Sequence, residues 1–179
     1  MKKNTLILTM VAIGIAGLAI GLYAGKYWQM RTANKSAWTQ KVDSRDDLIK
    51  GQIQSAYAML NELNNKVKSG ELKASYAKKL GADLLRQMTY GQDGYFFADT
   101  SAGVNVVLYG DKSVEGKDRH GANINGIYYV QKIAEAAKTG DGFTDYYFPK
   151  KGETAPSAKR AFSMYFQPFD WVIGTGYYK

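Results

Sequence analysis

The most apolar stretch of the chain lies close to its amino terminus. Residues 6–24 form an uncharged run of 19 residues, with Lys2 and Lys3 before it and Lys26 after it. At about 1.5 Å per residue in a helix, this run is close to the ~30 Å hydrocarbon thickness of a bilayer. It predicts a transmembrane anchor over residues 1–25. A cleavable signal peptide is the alternative, although the candidate cleavage site ending at Ala24 has Leu22 where a small residue is needed.

Beyond the anchor, apolar residues recur at steps of three, four or seven. They are Val42, Ile49, Ile53, Ala56, Leu60, Leu63 and Val67. This heptad pattern, called here the apolar seam, predicts one helix from the anchor to about Lys68. Together with Gly17, Gly21 and Gly25, the seam predicts a parallel homodimer. The alternatives are that the seam covers the domain's own sheet, and that glycine is simply common in membrane helices.

Two shorter helices are predicted farther along the chain. Apolar residues three or four positions apart predict a helix that starts at Glu71, with Gly91 as its C-terminal cap. Another helix is predicted over residues 127–138, with Asn125 or Asn123 as its N-cap.

Aromatic and β-branched runs predict five strands. They cover residues 94–99, 104–109, 143–148, 160–166 and 171–177. The first two are expected to form a hairpin, and residues 110–126, rich in Gly, Asp and Asn, are expected to form a loop. Helices and strands in this order predict an α+β fold, in which helices pack on an antiparallel sheet.

Composition removes most kinds of catalytic chemistry. The chain has no cysteine and a single histidine, His120, which excludes thiol catalysis, cysteine-ligated zinc and a multi-histidine metal site. Residues 110–117 resemble a phosphate-binding loop, but the glycine spacing is too long and Asp118 stands where Ser or Thr is required. We therefore expect no enzyme activity, no metal and no other cofactor.

The chain carries a formal net charge of +8, of which Lys2 and Lys3 contribute two. The basic residues are spread out, and the chain is expected to leave the cytoplasm, so nucleic acid is not an expected partner. Such a charge favours binding of the chain to anionic lipids or small anions.

Tyrosine is dense in the predicted strands. Those residues are Tyr90, Tyr95, Tyr109, Tyr146, Tyr147, Tyr165, Tyr177 and Tyr178. Tyrosine combines apolar area with a hydroxyl group, which suits a pocket for a small polar ligand. The alternative is that aromatic residues are simply good strand formers.

Several segments, taken in order, resemble the single Cache (sCache_2 type) sensor domain of bacterial chemoreceptors and sensor kinases. The matching segments are residues 90–97 (YGQDGYFF), 115–117 (EGK), 125–126 (NG), 140–150 (GDGFTDYYFPK), 156–159 (PSAK) and 171–177 (WVIGTGY). The resemblance covers residues 40–178. It implies a long N-terminal helix and a second helix packed on a PAS-like, five-stranded antiparallel sheet.

The resemblance also implies a location and a function. Residues 26–179 would form a ligand-binding domain outside the cytoplasm, periplasmic or extracellular, held by a single pass through the bacterial inner membrane. The ligand would be a small organic acid or similar polar metabolite, and the response chemotaxis or another form of signal transduction. A receptor or kinase is a possible partner, and the chain would be either a stand-alone anchored protein or part of a receptor.

Five residues are expected to bind the ligand by this resemblance. They are Tyr95, Phe97, Tyr109, Tyr146 and Lys159. Lys159 would offset a bound carboxylate, and the alternative is that it is an exposed strand-edge residue. The chain departs from the family pattern at Thr89, where Arg is common, and at Tyr109, where His is common. A Cache-fold protein that pairs with a partner receptor but binds no ligand is therefore the alternative function.

Overall fold

The computed structural model describes the backbone of residues 2–109 and 111–179, and the side chains from Tyr23 onward except at position 110. The chain forms two compact units, Met1–Ser44 and Arg45–Lys179. Helix α1 spans Lys2–Lys68. The predicted membrane anchor and its glycine face fall almost entirely on residues 1–22, outside the described side chains.

The first unit presents bulky side chains to solvent. Tyr23, Tyr27 and Trp28 are each at least 60% exposed. Within the described residues, no helix combines the length and the apolar character that crossing a membrane requires.

The second unit is an α+β domain built on an antiparallel sheet, as predicted. Its helices after α1 are α2 (Ala74–Gln87) and α3 (Tyr129–Thr139). Its strands are β1 (Thr89–Tyr90), β2 (Gly94–Thr100), β3 (Asn105–Leu108), β4 (Phe143–Pro149), β5 (Pro156–Phe166) and β6 (Trp171–Tyr178). The main path runs β2-β6-β5-β4, with β3 and the short β1 paired to β2. The five predicted strands are confirmed, and β1 is an addition.

The sheet separates two apolar clusters. Alternate residues of a strand face opposite sides, so Phe162 and Phe166 of β5 join the cluster under α1 and α2. Ala161, which directly precedes Phe162, joins the cluster on the α3 side.

The apolar seam belongs to the first of these clusters. Ile49, Ile53, Ala56, Leu60 and Leu63 are buried within the chain's own domain. These side chains therefore cover the sheet and are not available to a second copy. The prediction that this part of the seam forms a dimer surface is wrong. The apolar face of the sheet has to be covered, and α1 covers it.

Two predicted helix caps were also wrong. Gly91 has φ +57 and lies in the turn between β1 and β2, four residues after α2 ends at Gln87. Tyr128 is the N-cap of α3 and makes no side-chain capping bond. Asn123 instead accepts a hydrogen bond from the backbone N–H of Gly126, 3.0 Å away. This bond closes a turn before the helix begins.

An ion pair fastens α1 to the sheet. The Arg160 guanidinium Nε lies 2.9 and 3.0 Å from the two carboxylate oxygens of Asp46, and the Tyr177 hydroxyl donates to the same carboxylate at 2.9 Å. Burial raises the pKa of Asp46, but the bonds from Arg160 and Tyr177 outweigh it and hold the pKa below its usual value. Asp46 is thus held as a carboxylate.

We expect a double-mutant cycle on Asp46→Ala and Arg160→Ala to give a coupling free energy of about 1–2 kcal/mol, because the pair is largely shielded and charge-assisted. Chemical denaturation of the full chain in detergent measures it. The exposed pair Lys79–Asp83, four residues apart on α2, is the matched control and should couple less strongly. Equal coupling in the two cycles would contradict the fastening role of Asp46.

Candidate functional site

A small cavity, called here the inner cavity, lies on the α3 side of the sheet. Its lining consists of aromatic, aliphatic and charged side chains: Tyr95, Phe97, Asp99, Leu108, Arg119, Tyr129, Ile133, Tyr146, Phe148 and Lys159. Four of the five predicted site residues therefore come together here. The fifth, Tyr109, packs edge-on against Tyr95 with ring centroids 4.9 Å apart and lines a different depression.

Strand register places these side chains side by side. Tyr146 of β4 pairs with Lys159 of β5, and Phe97 of β2 pairs with Gly174 of β6. A Cβ atom at Gly174 would overlap the Phe97 ring and lie 2.5 Å from the Ser163 hydroxyl. The absence of a side chain at Gly174 is what lets the Phe97 ring lie across the sheet.

Lys159 is the central charged group of the cavity. It is 1% exposed and lies in β5, which is paired on both sides, so it is not a strand-edge residue. Its ammonium donates to the Tyr95 hydroxyl at 2.6 Å. Five aromatic rings, those of Tyr95, Phe97, Tyr146, Phe148 and Tyr178, have centroids 4.2 to 5.9 Å from Nζ.

The described part of the chain gives the ammonium no negative partner of its own. Among the described residues, no carboxylate lies within 4.0 Å of Lys159 Nζ, the distance that defines an ion pair. Burial, and then the nearby Arg119 guanidinium, lower the pKa of Lys159 to about 7. Cation–π contacts and one hydroxyl offset only part of the desolvation of this charge.

A second cation, Arg119, enters the cavity from the loop after β3. Its guanidinium donates to the Tyr129 hydroxyl at 2.9 Å and lies 3.7 Å from the carboxylate of Asp99. Asn105 donates to the same carboxylate at 2.9 Å. The cavity thus holds two basic groups and one acidic group.

Sequence reasoning missed Asp99 and Arg119 as site residues. Asp99 could have been found, because it lies two and four residues after Phe97 and Tyr95 on one strand and so shares their face. No sequence pattern identifies Arg119 as a site residue, because it lies in a loop without hydrophobic periodicity.

The tyrosine hydroxyls remain protonated at neutral pH. Burial is the main reason that the pKa values of Tyr95 and Tyr146 are raised well above their usual range. Both hydroxyls can therefore donate hydrogen bonds to an anion.

The inner cavity has a volume of about 10 Å³, which is room for about one water molecule. A wider depression, called here the outer cleft, has a volume of about 460 Å³ and is lined in part by Tyr95, Tyr109, Tyr178, Lys150 and Lys151. Tyr95 lines both spaces. Its hydroxyl lies 3.4 Å from that of Tyr178, whose hydroxyl also donates to the Pro149 carbonyl at 2.7 Å. Tyr95 therefore borders both the inner cavity and the outer cleft, with Tyr178 beside it.

The candidate site thus lies on the α3 side of an antiparallel sheet that has helices on both faces. Residues 42–179 match the Single Cache domain 2 family. The chain belongs to this family, and the resemblance seen in the sequence is confirmed.

Two curated relatives are signalling proteins. Methyl-accepting chemotaxis protein McpP of Pseudomonas putida is 23% identical over 128 residues, which cover 70% of this chain and 24% of McpP. Sensor histidine kinase MctS of Rhizobium johnstonii is 31% identical over 108 residues, which cover 57% of this chain and 22% of MctS. The chain thus spans about a quarter of the length of these relatives.

A solved structure shows the same fold. A Cache chemosensory domain, 20% identical in sequence, matches with a TM-score of 0.73 over 78% of this chain and 96% of that domain.

We expect Lys159→Met to raise the free energy of unfolding at pH 7 by about 1–4 kcal/mol, because it replaces a buried charge without a negative partner by an apolar chain of similar length. The stability difference between Lys159→Met and wild type depends on pH, because the pKa of Lys159 is lowered in the folded chain. Between pH 7 and about 10 the unfolded chain holds a proton on Lys159 that the folded chain lacks, so the penalty of burial falls as the pH rises.

Chemical denaturation of the full chain in detergent at pH 7 and pH 9 measures both effects. The advantage of Lys159→Met over wild type should shrink at pH 9. Lys151→Met, which changes an exposed lysine, should show neither effect. Destabilisation by Lys159→Met at both pH values would mean that the ammonium stabilises the unliganded fold.

Proposed function

We propose that this chain is a membrane-anchored, extracytoplasmic sensor domain that binds a small organic acid in the inner cavity. The observation that carries the proposal is the buried Lys159 ammonium, which has no carboxylate partner among the described residues. A buried charge is tolerated when an opposite charge neutralises it. A ligand carboxylate supplies that charge.

The surrounding groups suit a carboxylate. Lys159 and Arg119 provide positive charge, and the hydroxyls of Tyr95 and Tyr146 can donate to the carboxylate oxygens. The rings of Phe97 and Phe148 provide apolar walls for a short carbon chain. A Cache domain of the same fold is described as recognising carboxylic acids, which is in keeping with this chemistry.

Binding requires side chains to move. The inner cavity is smaller than acetate, whereas the outer cleft is open to solvent. Displacement of Tyr95, which lines both spaces, and of Tyr178 beside it would admit the ligand from the outer cleft. Closure of these rings behind the ligand would exclude water and strengthen the ionic contacts.

Signal output is proposed from the relatives, which are a chemoreceptor and a sensor kinase. A partner receptor or kinase, or a further part of the same protein, would receive the signal. Membrane anchoring through residues 1–25 and homodimer formation remain part of the proposal. A dimer contact would lie outside the buried part of the apolar seam.

We expect titration calorimetry to detect binding of one of four short acids, namely acetate, propionate, pyruvate and lactate, to the full chain in detergent. Lys159→Met should weaken that binding by about 10–150-fold, because charge-assisted hydrogen bonds contribute roughly 1.5–3 kcal/mol. Lys151→Met, at an exposed lysine of the outer cleft, should change affinity by less than about twofold.

The two variants also separate the competing functions. Equal losses at Lys159 and Lys151 would remove the inner cavity from the binding site. No binding of any short acid by the wild type would favour a Cache-fold interaction protein that binds no ligand, for which the small volume of the inner cavity is the supporting observation.

A further inference from the structure

Asp99 is an acidic group inside a cavity that we expect to receive an acid. It is 5% exposed, at the end of β2, and lines the inner cavity together with Lys159. Burial raises the pKa of Asp99, and the Arg119 guanidinium and the Asn105 amide oppose this rise. Asp99 thus adds an acidic group to a lining whose other charged side chains, Arg119 and Lys159, are cations.

The charges of the cavity lining define how many carboxylates it can neutralise. Arg119 is paired with Asp99 at 3.7 Å, so these two charges largely offset each other. The net charge of the cavity lining is therefore the single positive charge of Lys159, when this residue is protonated. One ligand carboxylate completes the balance, and a second one would lie in a low-dielectric space that already holds Asp99. Such a like-charge contact is strongly unfavourable.

We propose that Asp99 is a specificity-determining residue, which excludes dicarboxylates by repelling their second carboxylate. The inference rests on the proposed function, because it concerns the same cavity. It differs from a role for Asp99 in positioning Arg119, since loss of positioning would weaken monocarboxylates and dicarboxylates alike. Loss of repulsion changes the ratio of the affinity for dicarboxylates to the affinity for monocarboxylates.

Asp99→Asn is the variant that isolates charge. The amide has the shape of the carboxylate, and its oxygen can still accept the bond from Asn105. Asp47→Asn removes the same charge from an exposed position on α1 and is the matched control. Both are compared with wild type as full chains in detergent at neutral pH.

Three probe ligands separate charge from size. Propionate is the reference monocarboxylate, and malonate has two carboxylates. Isovalerate has the shape of malonate, with two methyl groups in place of the second pair of oxygens. Titration calorimetry gives the affinity of each ligand for each variant.

We expect wild type to bind propionate and to bind malonate at least tenfold more weakly than isovalerate. Asp99→Asn should raise the affinity for malonate relative to propionate by about tenfold or more, since like-charge contacts cost several kcal/mol. Asp47→Asn should leave this ratio unchanged.

Each other outcome has a defined meaning. Failure of wild type to bind propionate, together with failure to bind acetate, pyruvate and lactate, would count against the proposed function itself. Propionate binding with an unchanged malonate ratio in Asp99→Asn would overturn the role of Asp99 alone. If wild type and Asp99→Asn both fail to bind isovalerate as well as malonate, ligand size sets the selectivity. That result would also overturn the role of Asp99.

Discussion

The desolvation of the Lys159 ammonium is the constraint on which the rest of the site depends. A charged amine is almost never fully buried without an opposite charge, because its removal from water costs several kcal/mol. Here it lies among five aromatic rings, with one hydroxyl at 2.6 Å and a second cation in the same cavity. The fold holds this charge in place through a central strand that is paired on both edges.

The same strand carries the contact with α1. Lys159 faces the inner cavity, and the next residue, Arg160, faces the other side of the sheet and binds Asp46. The pattern repeats at the end of β6, where Tyr178 touches Tyr95 and Tyr177 binds Asp46. Two strands therefore present neighbouring residues to the cavity and to α1, so a shift of either strand would affect both.

Hydrophobic periodicity was enough to predict the α+β class, the five main strands and the long first helix. These features depend on which positions are apolar, and that information is local. The caps at Gly91 and at Asn125 or Asn123 were mispredicted, because glycine and asparagine also favour turns outside helices, and nothing local distinguishes the two settings. The partner of the apolar seam was ambiguous, since a heptad face fits a sheet as well as a second helix.

The candidate site was predictable only in part. Tyr95, Phe97, Tyr146 and Lys159 came from the resemblance to Cache domains, and the structure brings all four together in the inner cavity. The contact between Asp99 and Arg119 depends on the path of the loop after β3, for which the sequence offers no pattern.

Proton uptake tests the central claim most directly. At pH 8 an amine with a pKa of about 7 is mostly neutral, and a carboxylate bound beside it raises that pKa. Calorimetric titration of propionate at pH 8, repeated in buffers of different ionisation enthalpy, should therefore show uptake of a substantial fraction of one proton per ligand. Lys159→Met should abolish that uptake. Propionate binding to wild type without proton uptake, and with the same affinity in Lys159→Met, would contradict the account, because it would mean that the ligand does not pair with Lys159.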